Sequence, residues 1–582
     1  MVGVFLSTIL MFVFVLVLLV GMVAVMDSSS STSGSAEKGT IIHLSLQEEI
    51  LERTSDNPFG NFNPLSPSLD KGIGLDMILE SLDKASRDPN VSGIYLDLPS
   101  VNAGMASMEE VRTALVKFKK SGKFIVAYAD VYSQSGYYLA SVADKVWMNP
   151  EGMLDMRGLS TSIPFFKGAL EKLEVKPEII RHGKFKSAVE PFLLDKMSDE
   201  NRAQTAAYVD DLWAHYLTKI GDARKLSIDS LKAYTSNFRL RMAADAVKLG
   251  FVDTLAYKDV FLKDLCDRTG KSDFDDLEMV SLSKYDGFAD PGPEKEPTRD
   301  KIAVVYAVGD IVSGKGESDE IGSERFSSII REIRNDEKIK AVVLRVNSPG
   351  GDALASDIIW RELELCRKVK PVIVSMGDVA ASGGYYISCN ADSIFAQPNT
   401  ITGSIGVFGL MFNAQDMLRN KLGVTIDTYN TGNYSDLGSM TRPMTDSERV
   451  IMQSFVEQTY ATFTGRVADG RSMSVADVDS IGQGRVWSGT DALQLGLVDA
   501  LGGINDAVAA AAQKAGLKNY RIANYPEMKT TFESILEDFS GESTTKAIES
   551  TIGTDIEYLK TLQRIRKMNG IQARFIYDRV RY

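Results

Sequence analysis

Hydrophobic and polar positions divide the chain into three stretches. Residues 2–26 contain no charged side chain and are dominated by Val, Leu, Met and Phe. A helix of about 20 apolar residues crosses a bilayer, whereas the apolar part of a cleaved leader is about 7–15 residues long. The run therefore predicts one retained transmembrane helix over 1–26, although small residues at Ser35 and Ala36 would also suit cleavage. Residues 27–37, rich in Ser and Gly, predict a flexible tether. No Lys or Arg precedes the apolar run, so the charge rule does not set its orientation. From 38 to 524, short apolar runs alternate with amphipathic ones. Residues 94–98 and 342–346 predict buried strands, 109–120 and 355–368 predict helices, and 124–128 and 371–376 predict the next strands. Strands separated by helices of that length imply βαβ units and a mostly parallel sheet. Residues 525–582 form a polar tail whose basic clusters (563–567 and 579–581) predict a solvated or inter-subunit face.

The middle stretch repeats itself. Phe124-Ile-Val-Ala-Tyr-Ala-Asp-Val-Tyr-Ser-Gln-Ser-Gly-Tyr-Tyr138 matches Val372-Ile-Val-Ser-Met-Gly-Asp-Val-Ala-Ala-Ser-Gly-Gly-Tyr-Tyr386 at an offset of 248. The register holds without a gap from Ile78 (against Phe326) through Pro150 and Gly158 (against Pro398 and Gly406). A later echo pairs the segment from Ala244 to Asp253 with that from Thr490 to Asp499. The chain is read as an α/β protein with two diverged copies of one domain, at 38–283 and 301–524. Residues 284–300, rich in Pro, Gly and charge, predict the linker between them.

Composition narrows the function. With 44% hydrophobic residues the chain is too apolar to be disordered, and 582 residues are too many for one core. Lys and Arg number 65 against 78 Asp and Glu, a balance of −13 that disfavours a nucleic-acid partner. Cys266, Cys366 and Cys389 lack ligand spacing, and the three histidines are His43, His182 and His215, so neither a zinc site nor a disulfide framework is expected. No metal or organic cofactor is predicted.

The chemistry lies where the copies differ. In the second copy a strand runs into Asn347-Ser-Pro-Gly-Gly351, where paired glycines let backbone N–H groups approach a ligand; the first copy has Asn102 and Ala103 there. The next strand leads to Ser382 at a small-residue turn opening a helix, an exposed position suited to a nucleophile. The first copy has Gln134. On the turn alone Ser382 reads equally well as a helix cap; the glycines, and their loss together with the serine in the other copy, tilt the reading to nucleophile. Gly350, Gly351 and Gly383 are the candidate oxyanion-hole donors. No histidine occurs in the second copy, but the first offers Lys186, which aligns with Ser435. A neutral amine can activate serine if burial or nearby cations such as Arg181 and Lys184 lower its pKa from about 10.4. Read by itself, Lys186 is an ordinary surface cation.

Four motifs resemble the long, two-copy form of the bacterial signal peptide peptidase A (protease IV) family: Arg345-Val-Asn-Ser-Pro-Gly-Gly351, Ala380-Ala-Ser-Gly-Gly-Tyr-Tyr386, Thr402-Gly-Ser-Ile-Gly-Val407 and Lys186-Ser-Ala-Val-Glu-Pro191. The resemblance covers nearly all of the chain after the apolar run. It implies that Ser382 is the nucleophile, that Lys186 from the N-terminal copy is the base, and that Ser404 positions the lysine amine. It further implies a Clp protease/crotonase-like fold and a homotetramer tethered to the bilayer through residues 2–26. The catalytic domains would lie on the extracytoplasmic side of the inner membrane and degrade signal-peptide remnants and other extended apolar peptides. Two other readings stand beside it: a crotonase-like acyl-CoA enzyme, whose oxyanion hole is also built from backbone N–H groups, and an inactive membrane scaffold.

Overall fold

Runs of Val, Ile, Leu and Ala that are apolar on both faces have to be covered by helices on both sides, which is the setting of a parallel sheet. The computed structural model describes residues 34–54, 72–292, 297–527 and 570–575. The expected anchor over 1–26, most of the tether and the basic clusters of the tail lie outside the described residues. Among the described residues no helix is long and apolar enough to cross a membrane.

Each copy builds one sheet. In the first, six parallel strands run in the order Thr254–Leu255, Lys145–Leu154, Phe124–Tyr132, Val91–Leu96, Thr40–Leu44, Met279–Ser281. In the second, Ala500–Leu501, Ser393–Ala396, Val372–Ala381, Ile339–Ser348, Lys301–Val308 and Arg521–Tyr525 follow the same order, again in parallel. The sequence repeat is thus a repeat of topology. The helices Leu75–Arg87, Met105–Lys119, Ser323–Asn335 and Ala353–Arg367 fill the crossovers. One difference from the predicted elements matters: the strand expected to end at 376 continues to Ala381, because Val379–Ala381 pairs with Ile401–Gly403. That second ladder carries the chain rigidly up to Ser382.

The copies are not beads on a string. Core residues of both, such as Leu96 and Met108 with Val343 and Ala381, belong to one continuous apolar cluster. A third sheet is built jointly, in the order Ile321–Gly322, Ile311–Val312, Gly350–Asp352, Gly570–Arg574, Phe408–Asn413, Lys176–Arg181. Its last pair is antiparallel and joins the two copies, from Phe408 opposite Arg181 to Asn413 opposite Lys176. The stretch read as a linker is docked at its start: Tyr285 is fully buried, its hydroxyl donates to Asp88, and Lys84 Nζ donates to the carbonyls of Tyr285, Asp286 and Phe288.

Candidate active site

The lysine reaches the serine along that shared sheet. The first-copy strand Lys176–Arg181 delivers a loop that stays zipped to the second copy: His182 N–H donates to the Val407 carbonyl (3.1 Å), and Phe185 N–H donates to that of Gln483 (3.0 Å). Lys186 follows and is 1% exposed. Its Nζ lies 2.8 Å from Ser382 Oγ, 3.1 Å from Ser404 Oγ and 3.2 Å from the Ser404 carbonyl oxygen. The three residues named by the sequence motifs, separated by up to 218 positions, meet at one point.

Ser382 begins the helix Gly383–Ser388, but its side chain makes no capping hydrogen bond. The cap reading is excluded and the hydroxyl is free to face the amine. The backbone here is strained: Ser382 has φ +55° and Ser404 has φ +50°. Each such non-glycine conformation costs about 1–3 kcal/mol, and such strain clusters at functional sites. Ser382 is not exposed, as the sharp turn had suggested, but 0% accessible. The turn is roofed over, in part by the strand Gly570–Arg574, whose Ala573 carbonyl oxygen would lie 3.0 Å from a β-carbon on Gly383.

Burial is the sole cause that holds the Lys186 amine well below the usual lysine range. The contribution expected from Arg181 and Lys184 is absent; both side chains are exposed to solvent. None of the hydrogen-bond partners of the amine is a carboxylate, so no anion within that shell stabilises its charged form. In the neutral state its N–H groups can donate to Ser404, whose hydroxyl donates in turn to the Gly484 carbonyl (3.3 Å). The lone pair is then left for the Ser382 hydroxyl proton. His182, the histidine nearest Lys186 in sequence, faces away, with Nδ1 2.6 Å from Glu457 Oε2 and its ring stacked on Tyr460.

The three glycines divide. Gly350 (φ +93°) and Gly383 converge: a β-carbon built on Gly350 would lie 2.5 Å from Gly383 N. Gly351 is one step along the strand and packs against Ile311, whose carbonyl oxygen would be 2.0 Å from a β-carbon there. The Gly350 N–H also meets Ser348 Oγ at 3.1 Å. The glycine loop and the first residue of the Ser382 helix thus adjoin, with the Gly350 N–H already given to Ser348 Oγ. In the first copy the corresponding space is filled. The Gln134 side chain accepts from the N–H groups of Arg157 and Gly158 and donates to the Gly158 carbonyl, a closed structural plug.

Two supports escaped sequence reasoning. The first is Gly484 (φ +82°), where a β-carbon would lie 2.6 Å from Lys186 Cα. The pattern Gly482-Gln-Gly484 was the signal available. Gly484→Ala is expected to displace the amine and lower kcat by about 100-fold with a smaller change in KM, measured by steady-state peptide hydrolysis. The second is Arg345 at the base of the glycine loop, 0% exposed. Its Nε donates to Glu52 Oε2 (2.7 Å), its Nη2 stands 2.7 Å from Glu110 Oε1, and its Nη1 donates to Ser375 Oγ (2.9 Å). Asn347 of the loop itself donates to Glu52 Oε1 (2.8 Å) and accepts from Val379 N–H (3.1 Å). Both glutamates come from the first copy, so that copy also anchors the glycine loop.

A strained serine, a buried amine and an adjoining glycine loop are parts that acyl transfer uses. Known proteins agree. The chain is similar to the chloroplastic serine protease SPPA of Arabidopsis thaliana, 33% identical over 544 residues that cover 92% of this chain and 77% of the relative. It is 36% identical to Protease 4 of Salmonella typhi over 551 residues, 91% of this chain and 87% of that one. Protease 4 of Haemophilus influenzae is 38% identical over 448 residues, 75% and 72% of the two chains. The model of peptidase family S49 matches twice, at residues 117–270 and 364–518, one match in each copy. The chain therefore belongs to peptidase family S49 and is a serine peptidase.

Proposed function

We propose that the enzyme is an endopeptidase with a Ser382–Lys186 dyad, in which Ser404 positions the amine and backbone amides among Gly350, Gly351 and Gly383 receive the oxyanion. The single observation that carries this reading is the 2.8 Å separation of Lys186 Nζ and Ser382 Oγ inside a site whose burial lowers the pKa of the amine. Ser382 Oγ attacks the substrate carbonyl carbon while its proton passes to Lys186. The resulting ammonium returns the proton to the departing amine, leaving an acyl-enzyme. Water then attacks the ester, again giving its proton to Lys186, and the second collapse frees the acid and restores Ser382.

The finer reading follows the family resemblance. Residues 2–26 would tether the enzyme to the inner membrane, with the catalytic copies on the extracytoplasmic side. Four chains would assemble around Clp protease/crotonase-like domains, and the substrates would be extended apolar peptides such as signal-peptide remnants. The seating of the extended segment Gly570–Arg574 between Gly350–Asp352 and Phe408–Asn413 supports an extended substrate, because peptides bind sheet edges by adding a strand.

A fluorophosphonate that reacts with activated serines tests the dyad. Ser382 is expected to be labelled in the wild type, and labelling should disappear in Lys186→Met. The labelling rate should rise with pH through a midpoint below the free-lysine value of about 10.4, because the amine must lose its proton first. Equal labelling of both proteins would end the proposal.

A further inference from the structure

Gln204 lies on the helix Asp199–Arg224 of the first copy, 2% exposed, and reaches the turn that carries Lys186. Its Nε2 donates to the Phe185 carbonyl oxygen (3.1 Å) on one side of the lysine and to Ser187 Oγ (3.0 Å) on the other. Its Oε1 accepts from the Val486 N–H (3.4 Å) of the second copy. Val486 opens the short strand Val486–Ser488, which runs antiparallel to Ile401–Gly403. Just before that strand, the Arg485 carbonyl accepts from the Ser404 N–H (2.7 Å). One carboxamide thus ties the backbone on both sides of the lysine to the strand that flanks Ser404. Further along the same helix, Asp211 Oδ2 accepts from Ser488 Oγ (2.9 Å), so the helix is docked on this strand at two points.

The surrounding bonds fix which way the carboxamide points. Asn201 Nδ2 donates to Glu190 Oε2 (2.9 Å), which turns Asn201 Oδ1 toward Gln204 Nε2 (3.3 Å). The Phe185 carbonyl can only accept and the Val486 N–H can only donate, so the amide nitrogen of Gln204 has to face the lysine turn. The second copy supplies a contrast. Its helix Asp446–Arg471 also has 26 residues and also starts from a hydroxyl cap, Thr445 in place of Ser198. The sixth residue of the first helix is Gln204, and the sixth of the second is Ile451. That copy has Ser435 in register with Lys186 and no lysine there to hold. Burying a carboxamide is costly unless its partners are in place. The glutamine therefore accompanies the lysine, not the fold that the two copies share.

We propose that Gln204 is a positioning residue for the reaction: by clamping Phe185 and Ser187 it fixes the Lys186 amine against Ser382 and keeps water away from it. The proposal rests on Lys186 being the base. Gln204 acts through the backbone. The amine ends a four-carbon stem, so a small tilt of the turn carries it out of reach, and a misplacement of about 1 Å can cost about 100-fold in rate. Other ties of the turn remain without the glutamine, among them the Phe185 N–H on the Gln483 carbonyl, so the loss should be partial. Burial alone lowers the amine's pKa, so a loosened turn that admits water moves it back toward the ordinary lysine value. The charged groups packed about the turn are Glu190, bound by Ser198 and Asn201, Arg485 and Lys184, both over the Phe185 ring, and His182, paired with Glu457. Removing a neutral carboxamide leaves every one of those charges in place.

The test compares the full-length enzyme with Gln204→Met, which keeps the side-chain length without donor or acceptor, and with Ser187→Ala, which removes one partner of the clamp. Peptide hydrolysis by Gln204→Met is expected to show kcat lowered about 30-fold with KM within about twofold of wild type, because the clamp holds the base and not the substrate. Ser187→Ala should act in the same direction, with kcat lowered about threefold. In both, the rate of fluorophosphonate labelling should rise with pH through a midpoint at least about 0.3 units above that of the wild type. If Gln204→Met fails to fold, Ser187→Ala decides alone. A smaller movement of the midpoint in the folded variants overturns the proposal even where kcat falls, because a merely structural role lowers activity without changing the amine. A Gln204→Met kcat within about twofold of wild type overturns it as well. Failure of the underlying reading is distinct: Lys186→Met would then be labelled as fast as the wild type, whatever the Gln204 variant does.

Discussion

Lys186→Met is expected to lower kcat for peptide hydrolysis by about 10⁴-fold while KM stays near the wild-type value. Ser382→Ala should cost at least as much, and the double variant no more than either alone. The near-equality matters as much as the size, because two groups that act in one proton transfer lose their effect together. The same substitution should stabilise the fold. Burial holds the Lys186 amine well below 10.5, while the unfolded chain has an ordinary lysine near 10.4. Between those values the unfolded state binds the extra proton, so wild-type stability climbs with pH across that window and is poorest below it. Met has similar length and no amine to desolvate. Urea unfolding at pH 7 should therefore find Lys186→Met more resistant than the wild type, and the gap should shrink as pH approaches 10. A variant that is both inactive and less stable at every pH would contradict the burial argument.

The second large effect is expected at Arg345, far less visible in function but more so in stability. Arg345→Ala leaves Glu52 and Glu110 facing each other without their cation inside the protein. Removing one partner of a buried ion pair costs about 3–5 kcal/mol. Burial already pushes the Glu110 carboxyl above its usual range, with the Glu52 charge adding to the push against the pull of Arg345. Loss of the arginine should therefore protonate one of the two, so the penalty should be smaller at pH 5 than at pH 8. The measurement is the urea midpoint of Arg345→Ala at both pH values, with Arg345→Ala/Glu52→Gln/Glu110→Gln as the repair. A midpoint unchanged from wild type, or no recovery in the triple variant, would remove the network from the account.

Much of this was legible in the sequence, for reasons that can be named. The two sheets were readable because both rest on local periodicity, and the repeat supplied the pattern twice. Ser382 stood out because the other copy has Gln134 at the same register. Lys186 could be paired with it only through motif resemblance, since 196 residues separate them and no local spacing encodes their contact. The amine's environment was misjudged in one respect: exposed Arg181 and Lys184 do nothing, and desolvation acts alone. Gly484 and the Glu52–Arg345–Glu110 cluster were invisible because their partners come from distant segments. The strand Gly570–Arg574 was missed for a different reason. Its five residues have no periodicity of their own and gain a sheet only by fitting between two edges supplied by others.

The joint sheet that carries Lys176–Arg181 alongside Phe408–Asn413 has an evolutionary corollary. Tandem genes are ordinarily free to shrink back by unequal recombination, since either half still encodes a working unit. Here the two members of the proposed dyad lie in different halves, so contraction to a single unit would leave the proposed proton transfer without one of them. The doubling acts as a ratchet, and the lineage can lengthen, decorate or retune the two halves but not go back to one.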